Sequence, residues 1–410
     1  MSTRTHDQAL PLVHPSPRTP VEAVQWPRGM TKYLVPEIVF GAGALDEIGH
    51  AARRLGAVRP LLVTDAGVRA AGWSAQAQEH LRAAGLQATV WSDITPNPKD
   101  HEVVAGAQAY SEAGCDVLVA VGGGSVIDAA KAIAVLASNG GDIFDYEGID
   151  RIPRPIPPLV AVPTTAGTGA DVSQFAVITD TGRGLKATLI GKTLVPDISL
   201  TDPCLLVTMP DWLAATTGLD ALTHGVEAYV SRAASFLTDE HALSAVALVG
   251  EHLARSVHDP LDTGARLGMA RASLSAGLAF TNAILGAAHA ISHQVGGLLD
   301  LPHGMVNAIL LPHVVRFNAE VAPARFRALA GALGVPGAPR LADDEVGDAL
   351  ASAIAGLASS IGAPRRLRDI GVLPSHLGQL SRQTLYDACL TTNPRAVSEA
   401  DVMCILLAAL

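Results

Sequence analysis

The run Asp116-Val117-Leu118-Val119-Ala120-Val121 passes directly into three glycines and a serine, Gly122–Ser125, and then into a helical pattern with one apolar face. No other feature restricts the fold as much. A short, unbroken Val/Leu stretch bounded by turn residues is the pattern of a strand buried on both faces, and such strands belong to parallel sheets covered by helices. Ser125 is expected to cap the following helix, which runs to about Leu136 and turns Val126, Ile127, Ala130, Ile133 and Val135 inward. Similar units flank it. Ile38–Phe40, Pro60–Thr64, Ala88–Trp91 and Pro158–Pro163 read as strands, while the stretch up to Leu55, Ser74–Ala84 and His101–Ala113 read as helices. This alternation predicts an α/β region with right-handed crossovers.

Beyond about Asp202 the strand pattern almost vanishes. Long amphipathic segments follow at Leu213–Val230, Asp239–Val257, Gly264–Ile284, Ala287–Leu298, Val306–Val321, Asp343–Ser360 and Ser398–Leu410. They predict an all-helical region. The first thirty residues carry five prolines and neither period, so they read as an extension whose His6 and His14 are not expected to bind metal. The expected organisation is therefore an extension over 1–30, an α/β dinucleotide-binding domain over 31–201 and a helical metal-binding domain over 202–410. A 410-residue chain is long enough for two cores.

Composition excludes several functions. With 49% hydrophobic and 17% charged residues, the chain can fill a large interior and does not read as disordered. Its net charge of −10 disfavours nucleic acid and anionic membranes, and 4% aromatic residues leave little for base stacking. Cys115, Cys204, Cys389 and Cys404 form no CxxC pair and sit among apolar neighbours, so buried reduced thiols are expected. No leader pattern and no apolar run of about 18 residues is present, which points to a cytoplasmic protein.

The glycine turn has a possible chemistry. Glycines let the backbone approach a pyrophosphate, and a helix N-terminus presents free N–H groups and a positive dipole end. Taken alone, however, such a turn is equally compatible with tight packing. A second polar loop, Pro163-Thr164-Thr165-Ala166-Gly167-Thr168-Gly169-Ala170-Asp171, leaves another strand and could line a diphosphate and ribose. Both loops follow the carboxyl ends of strands, where open α/β sheets bind ligands.

The helical region carries a different signal. Asp220 and His224 stand four apart on one predicted helix, and so do His289 and His293. Each pair therefore shares a helical face. His303 follows in a Pro-His-Gly turn. One carboxylate with several imidazoles suits a borderline divalent metal such as Fe²⁺ or Zn²⁺. His313 is expected to start another helix and reads as structural, whereas His241, His252 and His258 read as solvated.

Five segments, in order, resemble the iron-containing (group III) alcohol dehydrogenase family. They are GGGSVIDAAKA at 122–132, PTTAGTGADV at 163–172, GLDALTHGVEAY at 218–229, the stretch from AFTN to LPHG at 279–304, and TNPR at 392–395. The resemblance spans about Tyr33 to the C-terminus. It implies a Rossmann-like domain, a helical domain and an active site between them. It implies Asp220, His224, His289 and His303 as metal ligands and His293 as a neighbour of the substrate, our candidate for relaying a proton. Phe280 would line the substrate pocket, with Gln174, Ala166, Gly169 and Leu298 nearby. NAD would contact Gly123, Gly124, Ser125 and Asp128 in the first loop and Thr164, Thr165 and Thr168 in the second. Asn97 and Lys186 would complete that site. Asp65, at the end of its strand, would accept from the adenosine ribose and repel a 2′-phosphate.

The expected reaction is hydride transfer between a nicotinamide cofactor and a small alcohol or aldehyde, with the metal as Lewis acid. A homodimer or higher homo-oligomer is expected, with no nucleic-acid or membrane partner. Three alternatives share parts of the pattern. A dehydroquinate-synthase-like lyase would call for a Glu/His/His ligand set and a basic substrate pocket. A maleylacetate-reductase-like enzyme would lack the aspartate at position 220. A non-catalytic NAD sensor would leave the metal motif unexplained.

Overall fold

The computed structural model describes residues 31–410; the proline-rich extension 1–30, with His6 and His14, lies outside the described residues. Strand β1 (Glu37–Phe40) leads to α1 (Ile48–Arg54), β2 (Pro60–Val63), α2 (Ala66–Ala70), α3 (Trp73–Ala83), β3 (Thr89–Trp91), α4 (Asp100–Glu112), β4 (Val117–Gly122) and α5 (Gly124–Asn139). Then come β5 (Gly148–Ile149), β6 (Leu159–Pro163), β7 (Phe175–Asp180), β8 (Leu185–Ile190) and β9 (Ile198–Thr201). From Asp211 the regular structure is helical: α6 (Asp211–Val230), α7 (Phe236–His258), α8 (Thr263–Ala283), α9 (Ala287–Leu299), α10 (His303–Ala319), α11 (Pro323–Ala332), α12 (Val346–Ser360), α13 (Leu377–Thr384) and α14 (Glu399–Ala409).

The main sheet has six strands in the order β1-β9-β6-β4-β2-β3, and every pairing in it is parallel. Its central strands are apolar because both faces are covered. Leu61, Val63, Leu118, Ala120, Leu159 and Ala161 point to the side of α5, where Val126, Ile127, Ala130 and Ile133 meet them. Their alternates Leu62, Val117, Val119, Val121, Val160 and Val162 pack on the opposite face with Ile48, Ala77 and Leu81 of α1 and α3. The two-residue period of a strand thus divides one continuous apolar run between two cores. Burying each Val, Leu or Ile among these contributes about 1.5–3 kcal/mol. The helices from α6 onward enclose a third, larger core.

The structure departs from the sequence expectations in several places. Helix α5 begins at Gly124 with Gly123 as its N-cap, and no side chain caps it. Ser125 is therefore inside the first turn and is not the cap. Its hydroxyl instead accepts from the backbone N–H of Asn97 at 3.2 Å. Strands β7 and β8 form an antiparallel hairpin in a separate three-stranded sheet, β5-β8-β7. Neither was expected, because their apolar positions are broken by charged and turn residues such as Asp180, Arg183 and Lys186. His313 lies inside α10 and begins no new helix: Pro312 is accommodated within that helix. Of the α7 histidines, His258 is exposed as expected, but the other two are not free in solvent. His241 stacks on Tyr33, 6.0 Å between ring centroids, and His252 is half-buried against Gly268. Cys115 and Cys389 are buried, but Cys204 and Cys404 are exposed; all four are free. Cys404 faces outward because α14 turns Val402, Ile405 and Leu406 to the core.

Candidate metal and cofactor site

The sheet brings the two predicted loops side by side. Gly122 at the end of β4 is in register with Pro163 at the end of β6, and Thr164 N–H donates to the Gly122 carbonyl at 3.0 Å. The contact is close enough to require glycine. A Cβ on Gly124 would lie 2.8 Å from Thr168 Cγ2, and one on Gly123 would lie 3.1 Å from Thr165 Cγ2. The hydroxyl of Thr165 is buried and has no partner. An orphaned hydroxyl facing an uncapped helix N-terminus across glycines fits an oxygen-rich anionic group such as a diphosphate.

Lys131, part of the same motif, serves a different purpose. Its fully buried ammonium donates to the carbonyls of Ala170 at 2.6 Å, Ser173 at 2.8 Å and Phe175 at 2.8 Å. It pins the second loop from beneath. Burial draws its pKa down to about 8, against the pull of Asp128 and Asp171. Asp128 accepts from Val177 N–H at 3.1 Å, and burial lifts its carboxyl to about 6 despite Lys131. Asn97, with a left-handed φ of 54°, is a junction. Its side-chain oxygen accepts from Lys186 Nζ at 2.7 Å and its amide donates to Asp300 at 2.8 Å. Lys186 is itself lowered to about 8, by burial first. Asp65 stands at the end of β2 and caps α2, accepting from Val68 N–H at 2.8 Å.

On the helical side, the α6 pair Asp220 and His224 meets His289 of α9. One donor atom from each of the three lies within 4.8 Å of the others, and all three residues are buried. The geometry presents the imidazoles correctly for a cation. His224 Nδ1 faces the Gly167 carbonyl at 3.1 Å, and His289 Nδ1 faces the Glu227 carboxylate at 2.6 Å. With both Nδ1 atoms as donors, both Nε2 lone pairs are left on the side of Asp220. His303, the first residue of α10, places Nε2 3.2 Å from Asp220 Oδ2 and is half-exposed. Asn307, one turn further on, donates to Asp220 Oδ1 at 2.9 Å, and its own carbonyl oxygen has no partner. Asp220, His224 and His289 converging in a buried space, with His303 at its more open edge, fit Fe²⁺ or Zn²⁺.

Electrostatics follow from burial. Burial lowers the His224 pKa to about 3, although Asp220 opposes it. Burial also works against charge on His289, but Asp220 and Glu227 flank the ring and together raise it to about 9, so a cation on the Asp220 side would have to displace the Nε2 proton to take that lone pair. Burial lowers His303 more than Asp220 restores it. Asp220 is held well below the usual carboxylate range: burial is outweighed by His224, His303 and His289.

Helices α8 and α9 meet at a bend of 101°. That bend lays Phe280 from the end of α8 against His224, 4.3 Å between centroids and nearly parallel. The Gln174 side chain is bound to the Thr281 carbonyl, and Gln174 N–H donates to the Thr281 hydroxyl at 2.9 Å. Gln174 thus supports the turn bearing Phe280. His293, one turn beyond His289, directs Nδ1 to Asp387 Oδ2 at 2.9 Å. Its ring is 6.0 Å from His289 and 6.5 Å from His303, centroid to centroid.

Residues 36–203 match the family described as "Iron-containing alcohol dehydrogenase", and residues 214–410 match "Fe-containing alcohol dehydrogenase family, C-terminal". The chain belongs to the iron-containing alcohol dehydrogenase family. It is 40% identical to the 1,3-propanediol dehydrogenase of Citrobacter freundii over 376 residues, 91% of this chain and 97% of that protein. It is 37% identical to the NAD-dependent methanol dehydrogenase of Bacillus methanolicus over 382 residues, covering 93% of this chain and 100% of the relative. The solved alcohol dehydrogenase from Oenococcus oeni superposes with a TM-score of 0.90 at 34% identity, over 93% of this chain and 100% of that one. This chain is accordingly an NAD-dependent, divalent-metal-dependent alcohol dehydrogenase, which removes the lyase and sensor alternatives.

Several residues of this dehydrogenase site went unnoticed in the sequence. Glu227 follows Asp220 and His224 at the i+7 and i+3 positions, so its face was readable. Asn307 stands four residues after His303 and was readable in the same way. Asp387 lies 94 residues from His293, and nothing local announces it.

Proposed function

We propose that this dehydrogenase interconverts short primary alcohols and their aldehydes, and that Asp220, His224, His289 and His303 hold the metal. The observation that carries this reading is the buried group of Asp220, His224 and His289 with the flat face of Phe280 stacked on His224. A carbon chain beside that ring meets an apolar wall, while its oxygen meets the polar group. Relatives named for methanol and 1,3-propanediol support small, primary substrates. When bound, the metal supplies Lewis acidity to the alcohol oxygen and the nicotinamide supplies the hydride acceptor.

The chain's own residues do the rest. The Gly123–Ser125 turn, Asp128 and the threonines Thr164, Thr165 and Thr168 cradle the cofactor, with Asn97 and Lys186 at its nicotinamide end and Asp65 at its adenosine end. His293 moves the alcohol proton toward solvent, held in one orientation by Asp387. The division into 31–201 and 202–410 is supported by the two family matches, which end at 203 and resume at 214. Cytoplasmic location is supported by four free thiols. Self-association follows the common habit of such enzymes. Among the described residues no single helix is long and apolar enough to cross a membrane.

A panel of methanol, 1-propanol, 1,3-propanediol, a secondary alcohol and a carboxylated substrate, followed by NADH absorbance with and without Fe²⁺ or Zn²⁺, tests the proposal. Short primary alcohols should lead and should require metal. A preference for the carboxylated substrate without metal would favour the maleylacetate-reductase-like alternative.

A further inference from the structure

Glu227 is 3% exposed, and neither carboxylate oxygen is idle. Oε2 accepts from His289 Nδ1 at 2.6 Å and from Gly286 N–H at 3.1 Å, while Oε1 accepts from Ala288 N–H at 2.7 Å. Gly286 is needed for this approach, since a Cβ there would lie 3.0 Å from Glu227 Oε1 and 2.9 Å from Asn393 Oδ1. Helix α9 has no cap of its own at Gly286. Its exposed N–H groups are met by Glu227 from α6, and by Asn393, which accepts from Ala287 N–H at 3.1 Å. A buried carboxylate at a helix N-terminus is favourably placed in the helix dipole.

Docking α9 explains two of the three hydrogen bonds but not the shortest one. The ring of His289 has a defined neighbour on each side. Glu227 accepts only, so the proton belongs on Nδ1. Asn307 Nδ2 lies 3.0 Å from Nε2 and 2.9 Å from Asp220 Oδ1, and an amide nitrogen can only donate. Both contacts select the same tautomer, with the Nε2 lone pair toward Asp220. A carboxylate behind an imidazole also makes the far nitrogen a better electron donor.

We infer that Glu227 is a positioning residue of the metal centre: its charge fixes the ring and tautomer of His289, so that the affinity for the metal, and not only the docking of α9, depends on it. This rests on the reading of His289 as a ligand. Asn393 is the natural contrast, because it docks the same helix end without touching His289.

The test uses the full chain freed of metal, with Co²⁺ as the probe. Its affinity is measured by competition with a chromophoric chelator, its ligand field by visible absorption, and apo stability by melting. Glu227→Gln keeps the shape but removes the charge, and its NH₂ must face either His289 and Gly286 or Ala288, all of which need an acceptor. It should lose about ten- to a hundredfold in Co²⁺ affinity, with shifted visible bands. Asn393→Ala should melt lower yet bind Co²⁺ with wild-type affinity and spectrum. Should Glu227→Gln not fold, the wild type still decides: imidazole ¹⁵N shifts of the Zn²⁺-loaded protein should place the His289 proton on Nδ1. Wild-type affinity and spectrum in Glu227→Gln, or a proton on Nε2, would overturn the inference. Full Co²⁺ affinity in His289→Ala would overturn it differently, by showing that His289 is no ligand.

Discussion

The metal wall and the cofactor wall of this site are made of different materials. The metal wall is side chains on helices: Asp220, His224 and His289 are each no more than 3% exposed and each held by a neighbour. The cofactor wall is mostly backbone, formed where Gly123 and Gly124 admit the threonines of the facing loop. The difference has a physical cause. A cation of small radius needs a few donor atoms at fixed positions, which rigid helices and their supporting hydrogen bonds provide. A long diphosphate-bearing cofactor needs many N–H groups along a path, which turns at strand ends provide. It follows that the metal wall should be sensitive to the loss of single atoms, and the cofactor wall to added bulk.

The largest expected effect short of ligand removal is at His293. His293→Ala should keep its metal and lose about 10²–10⁴-fold in turnover near neutral pH, since that is what a proton relay contributes. Metal analysis beside a pH–rate profile checks it, and an unchanged profile would remove His293 from the chemistry. Next comes bulk on the other wall. Gly124→Val pushes against Thr168, where even a bare Cβ has only 2.8 Å. Overpacking of this kind costs about 1–3 kcal/mol, so NADH should bind roughly ten- to a hundredfold more weakly. Co²⁺ binding should be untouched, and a parallel loss of metal affinity would show that the walls are not separate. The smallest effect is at Asp65. The structure shows that this residue also caps α2, so glycine would confound charge with helix stability. Asp65→Asn keeps a capping oxygen and removes the charge. The preference for NAD⁺ over NADP⁺ should fall by about fivefold, the scale of an exposed charge interaction near 1 kcal/mol. Paired kcat/KM values for the two cofactors measure it.

The same contrast decides what could be read from the sequence. Strands β2, β4 and β6 and the long helices announce themselves because burial on two faces, or on one stripe, leaves a period in the chain. The metal pairs were legible because i,i+4 spacing is a statement about one helix face. Hairpin β7–β8 was not, since its strands mix Lys186 and Asp180 with apolar residues and the free edge of β7 meets an irregular segment at Pro98 and Lys99. The N-terminus of α5 was misassigned to Ser125 because a serine is the usual cap, whereas the close approach of Thr165 and Thr168 calls for glycine at the cap itself. Lys131 and Asp387 act across 39–44 and 94 residues respectively, through contacts that exist only after folding.

The two walls do touch. Asp300, just beyond α9, takes the Asn97 amide and lies 3.4 Å from Lys99 Nζ, but its side chain is 62% exposed. A pair so open to water is worth about 0–1 kcal/mol. Closer contacts lie deeper, where the Gly167 carbonyl faces His224 Nδ1 at 3.1 Å and Gln174 N–H donates to the Thr281 hydroxyl at 2.9 Å, so the walls share a seam while the atoms that would bind metal and cofactor come from different elements. The central claim is therefore that metal and cofactor are held separately and that turnover requires both. Its most direct test is chelation of the purified enzyme, with metal content, NADH affinity and alcohol oxidation measured on the same samples. The metal-free enzyme should bind NADH nearly as before and turn over no alcohol, and added Fe²⁺ or Zn²⁺ should restore the wild type but not His289→Ala. Full turnover in the metal-free sample would contradict the account.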